Sequence, residues 1–224
     1  MKILAIECTH GFASVAVGDG DRLVERRLAD WQKTAESLVP LVMQAMAEAG
    51  MTVTELDGVA VSSGPGSFTA LRIGLSVAKG IAFGAGLPLV PVQTLQAMAE
   101  AATEQVASTH IVSVIPSRVG EYFYSIFSTE GGELSEIESS RCLVSELPER
   151  LTALSGNFAI VSRSAEMLAE EAPSLAPHLF EASFFSAASL FSQAEKTLAE
   201  GAAGTAAGTV PDYRQAFTPK QAHS

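Results

Sequence analysis

The stretch whose residue types and spacing could do chemistry is Gly64-Pro65-Gly66-Ser67-Phe68-Thr69-Ala70-Leu71-Arg72-Ile73-Gly74. It follows a short apolar run, Gly58 to Ser62, that reads as a buried strand. It opens a proline-free segment, Phe68 to Ala85, whose charges are Arg72 and Lys79. Strand, glycine-rich turn and helix start in that order could hold an anion. Gly64 and Gly66 permit backbone angles that other residues avoid, Ser67 can cap the helix by accepting from a free backbone N–H, and a helix N-terminus attracts negative charge. The same residues would serve equally as a tight connection.

Other chemistries find less support. Cys8 and Cys142 have no metal-ligand spacing and suggest neither a disulfide framework nor a zinc site. His10, His110, His178 and His223 include no pair four apart, so metal catalysis is not expected. His10 follows Cys8-Thr9, but near neighbours on a turn rarely point at one another, and a surface histidine is the better reading. A serine hydrolase would want a Gly-x-Ser-x-Gly elbow; Ser67 has neither that pattern nor an identifiable base, and reads as a cap. Arg72 could pair with a partner's carboxylate or phosphate, although an ion pair within its own helix is favoured. Glu121 is open between a hairpin salt bridge and an intermolecular contact. Tyr122-Phe123-Tyr124 reads as core and strand surface rather than a base-stacking platform, because Arg118 is its one basic neighbour.

The elements that would position these residues follow from hydrophobic periodicity. Strands are expected at Lys2 to Cys8, Ala13 to Gly18 and Arg22 to Leu28, the last two joined by an Asp19-Gly20 turn. A helix from Thr34 to Ala49 should end at Gly50 as its cap. The strand near 58–62, the helix from 67, a strand at Leu87 to Val90 and a helix capped by Thr94 and running to about Val106 complete the order βββαβαβα. That is the order of a ribonuclease H-like, or actin-like, α/β domain. The second half begins the pattern again: strands at His110 to Ile115, Glu121 to Ser128, Glu133 to Arg141 and Phe158 to Ser162, and helices at Ser145 to Leu154, Ala165 to Glu171 and Ala187 to Ala199. Gly201 to Val210 reads as a mobile low-complexity loop. The expected organisation is an N-terminal lobe over 1–107, a reduced C-terminal lobe over 108–185, and a terminal helix, loop and tail over 186–224.

Two helices carry more apolar surface than one sheet needs. In the helix from 67, Leu71, Leu75, Ala78 and Ala82 share a face, Ile73, Val77 and Ile81 make a second, and Thr69, Arg72, Ser76 and Lys79 form a narrow polar strip. The helix from Thr34 carries Leu38, Val39, Leu41, Val42, Ala45, Met46 and Ala49. A helix apolar nearly all round is buried nearly all round, so each needs a second layer from this chain or a partner. The formal net charge of −11 argues against an autonomous nucleic-acid binder. The most apolar stretch, Gly74 to Val92, contains Lys79, Pro88 and Pro91 and makes a poor membrane span, and no signal-peptide core is seen. A soluble cytoplasmic protein with no membrane association is expected.

These residues resemble the TsaB (YeaZ) family, part of the bacterial machinery for tRNA threonylcarbamoyladenosine. The resemblance rests on the Gly64-to-Gly74 run and extends to Lys2-Ile3-Leu4-Ala5-Ile6, Glu36-Ser37-Leu38-Val39-Pro40, Ala78-Lys79-Gly80-Ile81-Ala82, Pro91-Val92-Gln93-Thr94-Leu95, Arg118-Val119-Gly120-Glu121 and Pro211-Asp212-Tyr213-Arg214. It implies an actin-like ATPase (ribonuclease H-like, ASKHA) fold in two lobes. It implies a non-catalytic partner of TsaD, the subunit that transfers the threonylcarbamoyl group to N6 of adenosine 37 in tRNAs reading codons that start with A. It implies that a TsaE-type ATPase joins the pair, that tRNA is reached only through the complex, and that the chain alone forms a homodimer. The first two helices would bundle with matching helices of the partner, with Leu38, Leu41, Val42, Ala45, Met46, Leu71, Arg72, Leu75 and Ala78 as interface candidates. TsaD-like members hold metal with two histidines four apart on a helix, where this chain has Lys33, Thr34 and Ala35.

The alternative is an autonomous nucleotide-dependent kinase or ATPase of the same fold. Such enzymes place one carboxylate on the first strand and another at the start of the second lobe. This chain offers Glu7 in the first place, and Pro116-Ser117 where the TsaB-like pattern often has an aspartate. Glu7, Thr9, Gly64, Gly66 and Ser67 are therefore candidates for a vestigial anion or nucleotide site. The chain is expected to require no cofactor, with nucleotide binding left open.

Overall fold

A computed structural model describes residues 1–9, 11, 13–19, 22–28, 30–132 and 134–212. Mostly apolar, buried runs form the central strands, and more polar runs form most of the edges. In chain order the first half gives β1 (Ile3–Glu7), β2 (Ser14–Gly18), β3 (Leu23–Arg27), α1 (Thr34–Ala49), β4 (Gly58–Gly64), α2 (Phe68–Ala85), β5 (Leu89–Gln93) and α3 (Thr94–Ala102). The second gives β6 (His110–Arg118), β7 (Glu121–Ser128), β8 (Ser135–Leu143), α4 (Leu147–Thr152), β9 (Phe158–Ser162), α5 (Ala165–Glu171), β10 (Leu179–Glu181) and α6 (Phe191–Ala199). Two five-stranded mixed sheets result, ordered β3-β2-β1-β4-β5 and β10-β9-β6-β7-β8. β1 runs antiparallel to β2 and parallel to β4, with Ile6 opposite both Val15 and Val61.

The lobes exchange helices. α3, from the first half, packs on β6, β7 and β9. α6 and the 3₁₀ turn before it, Ala187–Leu190, return to β1, β2, β4 and β5. One core therefore lies between the sheets, where Val90, Val92, Leu95 and Met98 meet Ile115, Phe123, Phe127, Phe185 and Leu190. A second core lies under α1 and α2, and a third under α4 and α5. α2 is long and apolar enough, by length and composition, to cross a membrane; Leu71, Gly74, Leu75, Ala78 and Ala82 are its buried residues.

The bounds of α1, β9 and α5 and the span 68–85 of α2 match the sequence reading, and Gly50 caps α1 at φ 64°. Several expectations are corrected. β5 lies two to three residues later than expected, because its pairing partner β4 continues to Gly64. Thr94 does not cap α3: Gln93 holds the cap position with extended backbone, and Thr94 Oγ1 is buried without a hydrogen-bond partner. The helix ends at Ala102, and α4 is confined to Leu147–Thr152. β10, too short for periodicity to reveal, pairs with β9. The segment 201–210, expected as a mobile loop, is tethered: Leu89 N donates to Gly204 O at 3.0 Å and Asp212 N to Ser63 O at 2.7 Å. By packing, the turn Ala187–Leu190 and α6 lie against the first sheet. Expectations for His10, Gly20, Glu133, Tyr213 and Arg214 fall outside the described residues.

Gly74 shows how closely α2 lies on β1. Cys8 Sγ donates to Ala70 O at 3.2 Å, and a Cβ at Gly74 would stand 2.5 Å from that sulfur. Gly74→Ala should destabilise the protein by about 1–3 kcal/mol through overpacking, and adding Cys8→Ala should restore most of that; urea unfolding midpoints of the single and double variants check it. Burial pushes the Cys8 thiol up from its ordinary 9.0 to about 12, and the nearby Glu7 carboxylate adds to the rise. Burial pushes Cys142 up to about 11. At pH 8 the Cys8 thiolate fraction is then about 1 in 10⁴, so neither thiol should react with a thiolate-selective alkylator until the chain unfolds. The folded state prefers the protonated thiols. Their contribution to stability is present below pH 9 and lost as pH rises through 11 to 12, which an alkaline series of unfolding curves would reveal.

Candidate functional site: the glycine turn, Glu7 and the outer helix faces

β4 runs into the turn at Gly64, whose φ of 120° suits glycine and little else. Gly66 lies against the connection that follows β1: a Cβ there would be 2.7 Å from both Thr9 Cβ and Thr9 O. Ser67 N donates to Thr9 O at 2.7 Å, and Ser67 Oγ accepts from Ala70 N at 3.5 Å, capping α2 as its sequence predicts. The Asp212 backbone passes over Gly64 on the other side. The turn thus grips the chain's own loop and C-terminal segment, with Ser67 N and Ala70 N donating to protein acceptors.

Glu7 ends β1 fully buried, at 0% exposure. A carboxylate there must be paired and hydrogen-bonded. Oε1 accepts from Thr9 N at 2.9 Å and Thr9 Oγ1 at 2.6 Å, and Oε2 accepts from Ser62 Oγ of β4. The fourth contact comes from the other sheet: Arg163 Nη1, just beyond β9, lies 3.4 Å from Oε1. Arg163 Nη2 donates to Phe185 O, and its guanidinium carbon sits 4.7 Å from the Phe185 ring centroid. Burial pulls the Arg163 guanidinium below its ordinary value while Glu7 holds it up. Of the residues expected at a vestigial anion site, Glu7, Thr9, Gly66 and Ser67 are linked through Thr9, and Gly64 opens the same turn. Sequence reasoning missed Ser62 and Arg163, because a partner 156 residues away leaves no local signal.

The interface candidates divide sharply. Leu38, Leu41, Val42, Ala45, Met46, Leu75 and Ala78 pack in the core beneath α1 and α2, and Leu71 is buried beside Gly64. These eight are covered by this chain itself; Arg72 alone of the nine is exposed. Its guanidinium lies 4.0 Å from the Phe68 ring centroid, a cation–π contact one helical turn away. The outward apolar residues are a different set: Val39 and Met43 on α1, 49% and 67% exposed, and Phe68 and Phe83 on α2, 53% and 82% exposed. Ile73, Val77 and Ile81 of α2 are half-buried against the core. Periodicity orders residues around a helix but does not say which of two apolar stripes faces the sheet.

Glu121 pairs with Arg141 across β7 and β8 at 3.5 Å, the hairpin reading. Among the described residues no cluster of three His, Cys, Asp or Glu could hold a metal ion. A groove of about 760 Å³ lies between α3 and α6, edged by Glu100, Glu104, Ser192 and Lys196, remote in sequence from the turn.

With this geometry in hand, the comparisons agree. The TsaD family model, tRNA N6-adenosine threonylcarbamoyltransferase, matches residues 31–137. The tRNA threonylcarbamoyladenosine biosynthesis protein TsaB of Escherichia coli K12 is 34% identical over 164 residues, 72% of this chain and 71% of that protein. TsaB of Haemophilus influenzae is 34% identical over 126 residues, 56% of this chain and about half, 53%, of its own length. A Pseudomonas aeruginosa crystal structure, described as similar to the peptidase YeaZ, shares the fold with a TM-score of 0.82 at 24% identity, over 96% of this chain and 99% of that one. The two-sheet fold and the identity with E. coli TsaB over most of both chains together place this chain in the TsaB (YeaZ) family.

Proposed function

We propose that this chain is a non-catalytic subunit in the formation of tRNA threonylcarbamoyladenosine, and that it acts by docking the outer faces of α1 and α2 on a TsaD-type transferase. The observation that carries this reading is the set of exposed apolar side chains on those helices, Val39, Met43, Phe68 and Phe83, together with half-buried Ile73, Val77 and Ile81 on α2. Exposed apolar patches on helices whose inner faces are already packed mark binding surfaces. The family supplies the reaction, since its members are named for this biosynthesis. The TsaD model spans residues 31–137, which include both helices. Like helices on two related chains can pair about a pseudo-two-fold axis, and the same face would let this chain form a homodimer when alone. The buried Leu38, Leu41, Val42, Ala45, Met46, Leu71, Leu75 and Ala78 support that face from beneath, and Arg72 lies at its edge.

A formal net charge of −11 favours reaching tRNA through the complex rather than directly. A TsaE-type ATPase completes the assembly, which works in the cytoplasm, and this chain needs no cofactor of its own. The competing reading, an autonomous nucleotide-dependent enzyme, would need Glu7 free to act on a metal-bound phosphate. Glu7 is instead saturated by Thr9, Ser62 and Arg163.

Reconstitution tests the proposal. Modification of tRNA by a TsaD-type subunit and a TsaE-type ATPase should depend on adding this chain. Met43→Glu and Phe83→Glu should each weaken binding to the TsaD-type subunit about 10-fold or more, lower modification in step, and leave the unfolding midpoint within about 0.5 kcal/mol of the parent. Unchanged binding in both variants would move the interface elsewhere. Magnesium-dependent nucleotide turnover by the isolated chain would favour the autonomous enzyme.

A further inference from the structure

The contact between the two lobes contains a second polar feature besides the Glu7–Arg163 pair. Thr94, at the first position of α3, is fully buried and its Oγ1 has no hydrogen-bond partner among the described residues. It borders a cavity of about 10 Å³ together with Thr9 of the first lobe, Arg163 of the second, and the apolar side chains Met98, Ile115 and Phe185. An unpaired buried hydroxyl is destabilising, so its position beside this cavity calls for a ligand of matching size. The volume is at the lower limit for one water, which needs about two to four polar partners. Three are available. Thr9 Oγ1 donates to Glu7 and keeps lone pairs to accept with; the guanidinium has five N–H donors; and the Thr94 hydroxyl can donate and accept.

Arg163 is built into this boundary on every side. It is 10% exposed, pairs with Glu7 at the tip of β1, donates to Phe185 O in the crossing that leads back to the first lobe, and stacks on the Phe185 ring. Removing such a group would leave Glu7, at 0% exposure, without its countercharge. The pair joins one sheet directly to the other at the tips of β1 and β9, where two chain crossings, after β5 and after β10, otherwise connect them.

We propose that Arg163 is a lock between the lobes, holding Glu7 on one side and the Phe185 crossing on the other, and that the cavity it roofs binds one ordered water through Thr94, Thr9 and the guanidinium. The lock fixes the angle between the two sheets without any bound ligand.

The test uses the full chain with nitroxide labels on Arg22→Cys and Glu136→Cys, exposed positions in different lobes, diluted with unlabelled chain so that distances within one molecule are read. The parent should give one narrow distance distribution. Arg163→Met should broaden it and lower Tm by about 10 °C, and the double variant Glu7→Gln/Arg163→Met should lose much less than the sum of the single losses. Should Arg163→Met not fold, Arg163→Lys keeps the charge but loses the fork that reaches both Glu7 and Phe185, and must still broaden the distribution. A folded Arg163 variant with the parent's distribution, or strictly additive losses, overturns the lock. A high-resolution crystal structure should show one water bonded to Thr94 Oγ1 and to Thr9 or Arg163, absent in Thr94→Val. A dry cavity overturns the water site.

Discussion

A carboxylate buried at the end of the first strand dictates much of what surrounds it. Glu7 has no solvent to stabilise its charge, so every lone pair it presents must meet a donor. Thr9 supplies two from the loop that β1 leads into, Ser62 one from β4, and Arg163 one from the opposite sheet. The loop that Thr9 belongs to is in turn held by Ser67 N and by the absence of a side chain at Gly66. The glycine turn therefore clamps Thr9 on Glu7 at the start of α2.

The exchange of helices explains why the lobes behave as one packing unit. α3 leaves the first sheet to cover the second, while the 3₁₀ turn and α6 come back to cover the first. Each sheet's inner face is thus sealed by an element from the other half of the chain, and the aromatic residues Phe123, Phe127 and Phe185 share one core with Val90 and Leu95. Ala187 N donates to Ser14 Oγ at 2.8 Å, pinning the returning segment to β2. With the inner faces spent on each other, surplus apolar surface is left on the outer helices, and α1 and α2 carry it on Val39, Met43, Phe68 and Phe83.

Local signals in the sequence were sufficient for elements whose ends are set by local chemistry. Gly50 stops α1 because only its lack of a Cβ makes φ 64° cheap, and Ser67 starts α2 by capping a nearby N–H. The order of strands and helices, and so the two-lobed α/β fold, followed from those boundaries and from periodicity. Where an end is set by pairing with a distant strand, as for β5 against β4, or where a threonine looks like a cap but turns into the core, as Thr94 does, the local signal misled.

The candidate site divides along the same line. That Gly64, Gly66 and Ser67 form a strand-to-helix turn, and that α1 and α2 hold too much apolar surface for one sheet, is determined by the sequence alone, because both depend on residues within a few turns of each other. Which apolar stripe is buried, what the turn packs against, and what neutralises Glu7 were decided only by tertiary structure. These choices depend on the side of a helix that meets a sheet and on an arginine 156 residues away, and the free energy of burying a charge or a stripe exists only once the chain has brought both surfaces together.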